Sequence, residues 1–358
     1  MEKKENRAPD LKTQALAFLE KHKKGLVALA LVLALAMSGY AWLNKAPEIP
    51  QRPPVESGKQ PAPSDPVQKE PEQQPEQPQP GQDPEPVPEP VPQLQRREDF
   101  YTFVVAGTND GYNTDTILLG GIDVKSNKVT VMSVPRDSMV DREVKYRKIN
   151  NAYGRAGVEE FCLELEELTG VYPDFYCILN LKAFVKIVDL VGGVEFNVPY
   201  DMYHEDGITV IDLKKGLQTL DGEQALGLVR FRGTSANDFG RTQVQRDFIA
   251  ATLKQVTEEL SVSNITGILE AVIKNLKTNL DVQEMLWFFT NVVSEMQFDT
   301  DLTMAPAPTL GTGKYLGQDY VYLDPAKVAE MVNTGINPYT RPLTEADLHI
   351  VNLKDQDY

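Results

Sequence analysis

The period of apolar and polar positions changes several times along this 358-residue chain, and each change marks a part with different physics. Residues 25–43, GLVALALVLALAMSGYAWL, are uncharged. As a helix rising about 1.5 Å per residue they span roughly 28 Å, close to the hydrocarbon thickness of a bilayer. The run predicts one transmembrane helix, with Tyr40 and Trp42 at its outer interface. Residues 1–24 are polar and end in Lys21, His22, Lys23 and Lys24, which places the N-terminus in the cytoplasm. They read as a short cytoplasmic tail; Leu11, Ala15, Leu16, Phe18 and Leu19 leave a surface-lying helix as the alternative. Ala34-Leu35-Ala36 fits a leader cleavage pattern, so a cleaved signal peptide is the rival to an anchor, although the apolar run exceeds a typical leader core.

Hydrophobic periodicity then disappears. Residues 44–97 read as a disordered linker, and 16 of the chain's 25 prolines fall within 46–97, interleaved with Gln and Glu. Such a segment has too little apolar surface to offset the entropy of ordering. Proline favours polyproline II, so it forms a semi-stiff spacer with a reach of up to roughly 160 Å. A PxxP docking segment is the alternative.

From 98 to 340 the pattern becomes globular. Phe103–Ala106, Thr116–Leu119, Val129–Val134, Tyr176–Leu179 and Val194–Val198 read as strands. Val158–Leu168, Leu181–Val191, Gly222–Val229 and Thr242–Leu260 read as helices. This alternation predicts an α/β domain, a mixed central β-sheet with helices on both faces, preceded by the membrane helix and the Pro-rich linker. Gly311–Gly317 reads as a surface loop, and residues 341–358 as a polar C-terminal tail that frays.

Charge sharpens this division. The chain has 36 basic and 52 acidic side chains, a net of −16. Residues 1–97 hold 13 of each sign, so the whole excess lies in 98–358. An acidic outer domain argues against a nucleic-acid partner. Three scattered histidines and two cysteines exclude a helical zinc-protease pair and a disulfide scaffold. Cys162 and Cys177 sit at apolar positions and read as buried thiols, with a disulfide as the alternative. No nucleophile elbow, Walker A loop or EF-hand is present.

Against that acidic average a few basic clusters stand out. In VTVMSVPRDSMV, proline ends a strand and presents Arg136 and Asp137 at its C-terminal edge, where α/β sheets bind ligands, or else in a surface turn with a local Arg–Asp pair. In LDGEQALGLVRFRG, Asp221 can cap a helix, and Arg230 and Arg232 share a face if the chain is extended there, as a diphosphate site requires. In NDFGRTQVQRDF, Asp238 and Arg241 lie at a helix start, with Gln245 on the same face as Arg241. Asp110 and Asp115, in NDGYNTDTILLGGID, suit a Mg²⁺ (or Mn²⁺) that bridges phosphate oxygens, or else are turn formers. RKINNAYGRAG adds Lys148, Asn150 and Tyr153.

Together the strings NTDTILL, VPRDS, KINNAYG, LVGGVEFNVP, LDGEQALGLVRFR and DFGRTQVQ resemble the LytR-CpsA-Psr family of cell-envelope phosphotransferases. The resemblance covers about residues 100–257 by motif. It implies an enzyme that takes a glycopolymer (teichoic acid or capsule) from a polyprenyl-diphosphate carrier and attaches it to peptidoglycan, outside the membrane of a Gram-positive cell. By motif match, Arg136, Arg230, Arg232 and Arg241 clamp the diphosphate, with Gln245 and Asn150 beside them. Asp115 and Asp110 hold the metal, and Asp137, Lys148 and Asp238 complete or orient the site. Asp115 and Asp238 are both candidates for the general base. Three departures stand out: Asn113 replaces an arginine two residues before Asp115, Asn109 stands where a loop aspartate is usual, and Val244 replaces a helix arginine, with Arg246 nearby. The alternative function is a non-catalytic protein of the same fold that binds the lipid carrier or a glycan. Arg142 lies outside these motifs and is expected to be dispensable for carrier binding.

Overall fold

A computed structural model describes residues 45–52, 94–109, 111–206, 210–231, 238–259 and 262–353. The predicted membrane helix and residues 44 and 53–93 of the predicted linker lie outside the described residues, and no helix among the described residues is long and apolar enough to cross a membrane. In chain order the main elements are β1 (Phe100–Thr108), β2 (Thr114–Asp123), β3 (Lys128–Ser133), α1 (Ala152–Ala156), α2 (Val158–Thr169), β4 (Phe175–Asn180), α3 (Leu181–Leu190), β5 (Val194–Val198), β6 (Met202–Glu205), β7 (Val210–Leu213), β8 (Gly216–Leu220), α4 (Gly222–Arg230), α5 (Asp238–Glu259), α6 (Val262–Ile273), β9 (Lys277–Thr278), α7 (Val282–Asn291), α8 (Phe298–Asp301), β10 (Leu302–Pro306), β11 (Thr309–Tyr315), β12 (Gln318–Leu323) and α9 (Pro325–Gly335). The chain divides into two compact units, one of residues 49–180 with 303–358, the other of residues 1–48 with 181–302.

The first unit is built on a mixed sheet in the order β10-β3-β2-β1-β4. β1 pairs antiparallel with β2 and parallel with β4, and β2 pairs antiparallel with β3. Alternation along these strands sends Val104, Ala106, Ile117, Leu119 and Met132 into one core cluster. Phe161, Cys162, Leu165 and Leu168 of α2 and Val328, Ala329 and Val332 of α9 fill the same cluster at helical spacing. α9 closes onto the sheet because two glycines meet there. A Cβ on Gly121 would lie 2.3 Å from the Gly335 carbonyl oxygen, and one on Gly335 would lie 2.2 Å from Thr130 Oγ1. The cysteines form no disulfide; Cys162 is buried and Cys177 half-buried, and burial pushes the Cys162 thiol up to about 12.

Two sequence expectations in this unit are corrected. Gly311–Gly317 is not a loop: it falls in the β11–β12 hairpin, which turns at Leu316 and Gly317, both at positive φ. Tyr320 and Tyr322 of β12 are buried against Met139, a long-range contact that no local period reveals. Residues 341–353 do not fray. Leu343 and Leu348 enter the main core, Asn333 exchanges hydrogen bonds with the Leu343 backbone, and Arg341 forms a two-pronged pair with Asp347. That pairing holds the Asp347 carboxyl well below the usual carboxylate range.

The second unit has its own core. β5 pairs with β8 and β6 with β7, both antiparallel. Val194, Phe196, Leu220, Ala225, Leu228, Val244 and Phe248 pack together. Asp221 caps α4 as predicted, in a reciprocal capping box with Gln224. A smaller cluster joins Ile265 of α6 to Leu286 and Phe289 of α7.

Candidate functional site

β3 ends before Pro135, and the Ser138 N–H donates to the Pro135 carbonyl oxygen (3.0 Å), closing a tight turn with Arg136 and Asp137 at its centre. The turn and the residues after it are clamped on both sides. On one side Val140 N–H donates to Arg147 O (2.9 Å), Ile149 N–H to Ser138 O (3.0 Å) and Asn150 N–H to Arg136 O (3.2 Å). On the other, Val321 N–H of β12 donates to Asp137 O (2.9 Å). Backbone pairing thus brings Lys148 beside the turn.

The side chains form one alternating chain of charge. Arg136 Nη1 donates to Asp115 Oδ1 (2.5 Å), Arg136 Nε lies 3.5 Å from Asp137 Oδ2, and Lys148 Nζ donates to Asp137 Oδ1 (2.8 Å). Asp115 is set in β2, one residue after its start, so the sheet positions it opposite the turn. All four side chains are between 18% and 38% exposed, sheltered yet within reach of a ligand. Burial works against the charge on Arg136, but Asp115 and Asp137 outweigh it and raise its pKa. Lys148 also lies 5.5 Å from the centre of the Tyr320 ring, a cation–π contact that the sequence does not reveal.

Among the described residues, the buried atoms Thr114 Oγ1, Ser138 Oγ and Asn150 Oδ1 find no hydrogen-bond partner. Each adjoins the cluster directly, Thr114 and Ser138 as sequence neighbours of Asp115 and Asp137, Asn150 through its bond to the Arg136 carbonyl. Unsatisfied buried groups are uncommon in folded proteins and call for an explanation.

The remaining predicted residues belong to the second unit. Arg230 is the last residue of α4 and is exposed, and Gln245 on α5 donates to the Val229 carbonyl oxygen (2.8 Å). Asp238 opens α5, and Arg241 lies in its first turn, as the sequence predicts. Arg232 and Asp110 lie outside the described residues. Val244 is explained by packing, since it faces the core with Phe248 one turn on. Arg246 is 6% exposed and donates to Gln243 Oε1.

Sequence reasoning misses an ion network in the same unit. Arg142 contacts Glu160, Glu164 and Glu167, and Arg155 contacts Glu160 and Glu164. The i, i+4 and i, i+7 spacing of Glu160, Glu164 and Glu167 on α2 is the available signal. Arg142 therefore has a structural role that its position outside the motifs conceals.

The LytR_cpsA_psr family model matches residues 81–336, most of the chain and all of this cluster. The chain belongs to the LytR_cpsA_psr family. Among its relatives is Bacillus subtilis TagV, named a polyisoprenyl-teichoic acid–peptidoglycan teichoic acid transferase, 27% identical over 220 residues, covering 58% of this chain and 54% of the relative. Enterococcus faecalis TagU, named in the same way, is 33% identical over 175 residues, covering 48% of this chain and 56% of the relative. The chain thus spans little more than half the length of these relatives. The crystal structure of B. subtilis TagV superposes with a TM-score of 0.59 at 24% identity, covering 66% of this chain and 96% of that one, so the two share a fold.

Proposed function

We propose that this LytR_cpsA_psr protein is a phosphotransferase that moves a glycopolymer from a polyprenyl-diphosphate carrier to peptidoglycan. The observation that carries the reading is the Asp115–Arg136–Asp137–Lys148 cluster, in a chain related to named teichoic acid transferases. Phosphoryl transfer needs positioning and charge neutralisation more than covalent chemistry. An acceptor hydroxyl attacks the sugar-bearing phosphorus. The bond from that phosphorus to the bridging oxygen breaks, a phosphodiester joins polymer to peptidoglycan, and polyprenyl monophosphate leaves with the electron pair. The hydroxyl proton passes to a carboxylate, Asp115 or Asp238. Arg136 and Lys148 neutralise phosphate oxygens, and Asp137 holds both cations in place.

Arg230, Arg232, Arg241, Gln245 and Asn150 are proposed on motif grounds to bind the same carrier. Asp115 and Asp110 are the proposed Mg²⁺ (or Mn²⁺) ligands. Among the described residues no three acidic, His or Cys side chains form a metal cage, but Mg²⁺ needs only one or two carboxylates besides water and phosphate oxygens, so the half-exposed Asp115 suits it. When bound, the ion would neutralise phosphate charge. Residues 25–43 are proposed to anchor the chain with its N-terminus in the cytoplasm, and 44–97 to space the enzymatic region from the membrane on the outer side.

The test is full-length protein with polyprenyl-diphosphate-linked polymer, peptidoglycan and Mg²⁺, monitored by mass spectrometry. Release of polyprenyl monophosphate, lost in Arg136→Ala and on chelation, is expected. Carrier binding without release would overturn the enzyme and leave a carrier-binding protein.

A further inference from the structure

The chain segments that carry the charged cluster also line a cavity of about 320 Å³, at the lower end of the roughly 300–1,000 Å³ range of small-ligand sites. It belongs to the first unit and shares two segments with the cluster: Asn113 lies two residues before Asp115, and Asn151 three after Lys148. Its walls combine Tyr112, Tyr146, Asn113, Asn151 and Lys145. Tyr112 and Tyr146 are 65% and 42% exposed and present ring surface to solvent. Lys145 Nζ lies 5.0 Å from the centre of the Tyr146 ring.

The cavity depends on Gly154. A Cβ there would come within 2.9–3.0 Å of the Tyr112 Cβ, Cα and carbonyl oxygen, so any larger residue would drive the Tyr112 loop off α1. At the same wall, Arg155 is paired with the buried Glu164, which fixes its guanidinium and offsets its charge. What faces the cavity is therefore aromatic surface, two planar amides and one ammonium. A phosphate would call for guanidiniums without acidic partners, and a lipid tail would leave the amides and the ammonium that share the lining with Val144 and the tyrosines without partners. A pyranose ring has the matching surface: C–H faces that lie on aromatic rings, and a rim of hydroxyls or acylamino groups that pair with amides and an ammonium.

We infer that the cavity between Tyr112 and Tyr146 is a saccharide subsite, holding a pyranose ring of one of the two glycans that the proposed transfer reaction joins. The inference rests on that reading, and places a sugar on the same chain segments as the residues that handle phosphate.

The probes are an N-acetylglucosamine oligosaccharide, representing the acceptor, and the lipid-linked polymer, representing the donor. Binding to the full-length protein is followed by saturation-transfer NMR and by KM for each substrate. Tyr112→Ala and Tyr146→Ala are expected to weaken one glycan about tenfold while the melting temperature and affinity for polyprenyl diphosphate alone stay unchanged. Tyr146→Phe should retain binding. Tyr203→Ala, which alters an equally exposed tyrosine of the other unit, should change nothing. An effect on the oligosaccharide assigns the ring to the acceptor, and one on the donor KM to the polymer; both support the subsite. Equal binding by wild type and both tyrosine-to-alanine variants, or no saturable binding of either glycan, overturns it. Saccharide binding without release of polyprenyl monophosphate leaves the subsite standing and removes the transferase reading.

Discussion

Glu164 gives the ion network a measurable consequence. It is fully buried on α2, between Arg155 and Arg142, and its Oε2 has no hydrogen-bond partner among the described residues. Burial pushes its carboxyl up from 4.5 to about 7; Arg155 and Arg142 pull it down without cancelling that effect, and Glu160 adds to it. A raised carboxyl pKa means that the folded state holds its proton more tightly than the unfolded state does. Its contribution is therefore neutral below about pH 4.5 and becomes a growing penalty as pH rises toward 7. Between pH 5.5 and 7.5 the linkage amounts to about 2 kcal/mol. For a unit of this size that is a melting-temperature fall on the order of 5 °C. Glu164→Gln keeps the shape and removes the titration. The experiment is thermal unfolding of wild type and variant at both pH values, and the quantity of interest is the difference of the two pH-induced shifts, in which the raised carboxyls of Asp174 and Glu166 cancel. The variant is expected to lose about 2 kcal/mol of pH dependence whatever its absolute stability. An identical pH slope in both proteins would show that Glu164 does not titrate in this range and would refute the reasoning.

Other outcomes are expected from the same structure. Arg136→Ala should lower release of polyprenyl monophosphate by on the order of 10²-fold or more, and Arg136→Lys should restore little, because a single ammonium cannot reach both Asp115 and Asp137 as the guanidinium does. Arg142→Ala should leave carrier binding intact but destabilise the protein by about 3 kcal/mol, seen in chemical denaturation, because it strips a cation from the buried Glu164. Gly121→Val should cost several kcal/mol in the same assay, since its Cβ meets backbone of α9 that cannot move aside. Leu348→Ala should cost about 2–4 kcal/mol; an unchanged denaturation midpoint would restore the view that the C-terminal segment is a loose tail.

The elements most legible in the sequence are those whose own residues decide them. The strand Val194–Val198 is predicted at its observed bounds, α2 and α3 within a residue, and the Asp221 cap is visible because capping is a four-residue interaction. The turn at Pro135 is equally local, so Arg136 and Asp137 stand out as a site without their partners. Lys148 and Asp115 are marked by motif alone. Their contacts with Asp137 and Arg136 exist because segments 11 and 21 residues apart are brought together by backbone pairing.

The β11–β12 hairpin escapes the sequence for the opposite reason. Its glycines look like loop punctuation, and its buried face is defined only by Met139, which lies about 180 residues away in sequence. Leu343 and Leu348 are isolated apolar residues in a polar stretch, and nothing but the core they enter shows that they are ordered. The sequence by itself determined the compositional segments, the local elements and the identity of the charged motifs, because propensity, capping and turn chemistry act over a few residues. Only the tertiary structure decided which carboxylate each arginine meets, which glutamate is buried deep enough to hold its proton, and where exposed tyrosines and amides face one cavity. Those properties come from desolvation and close approach between distant segments, which chain order does not encode.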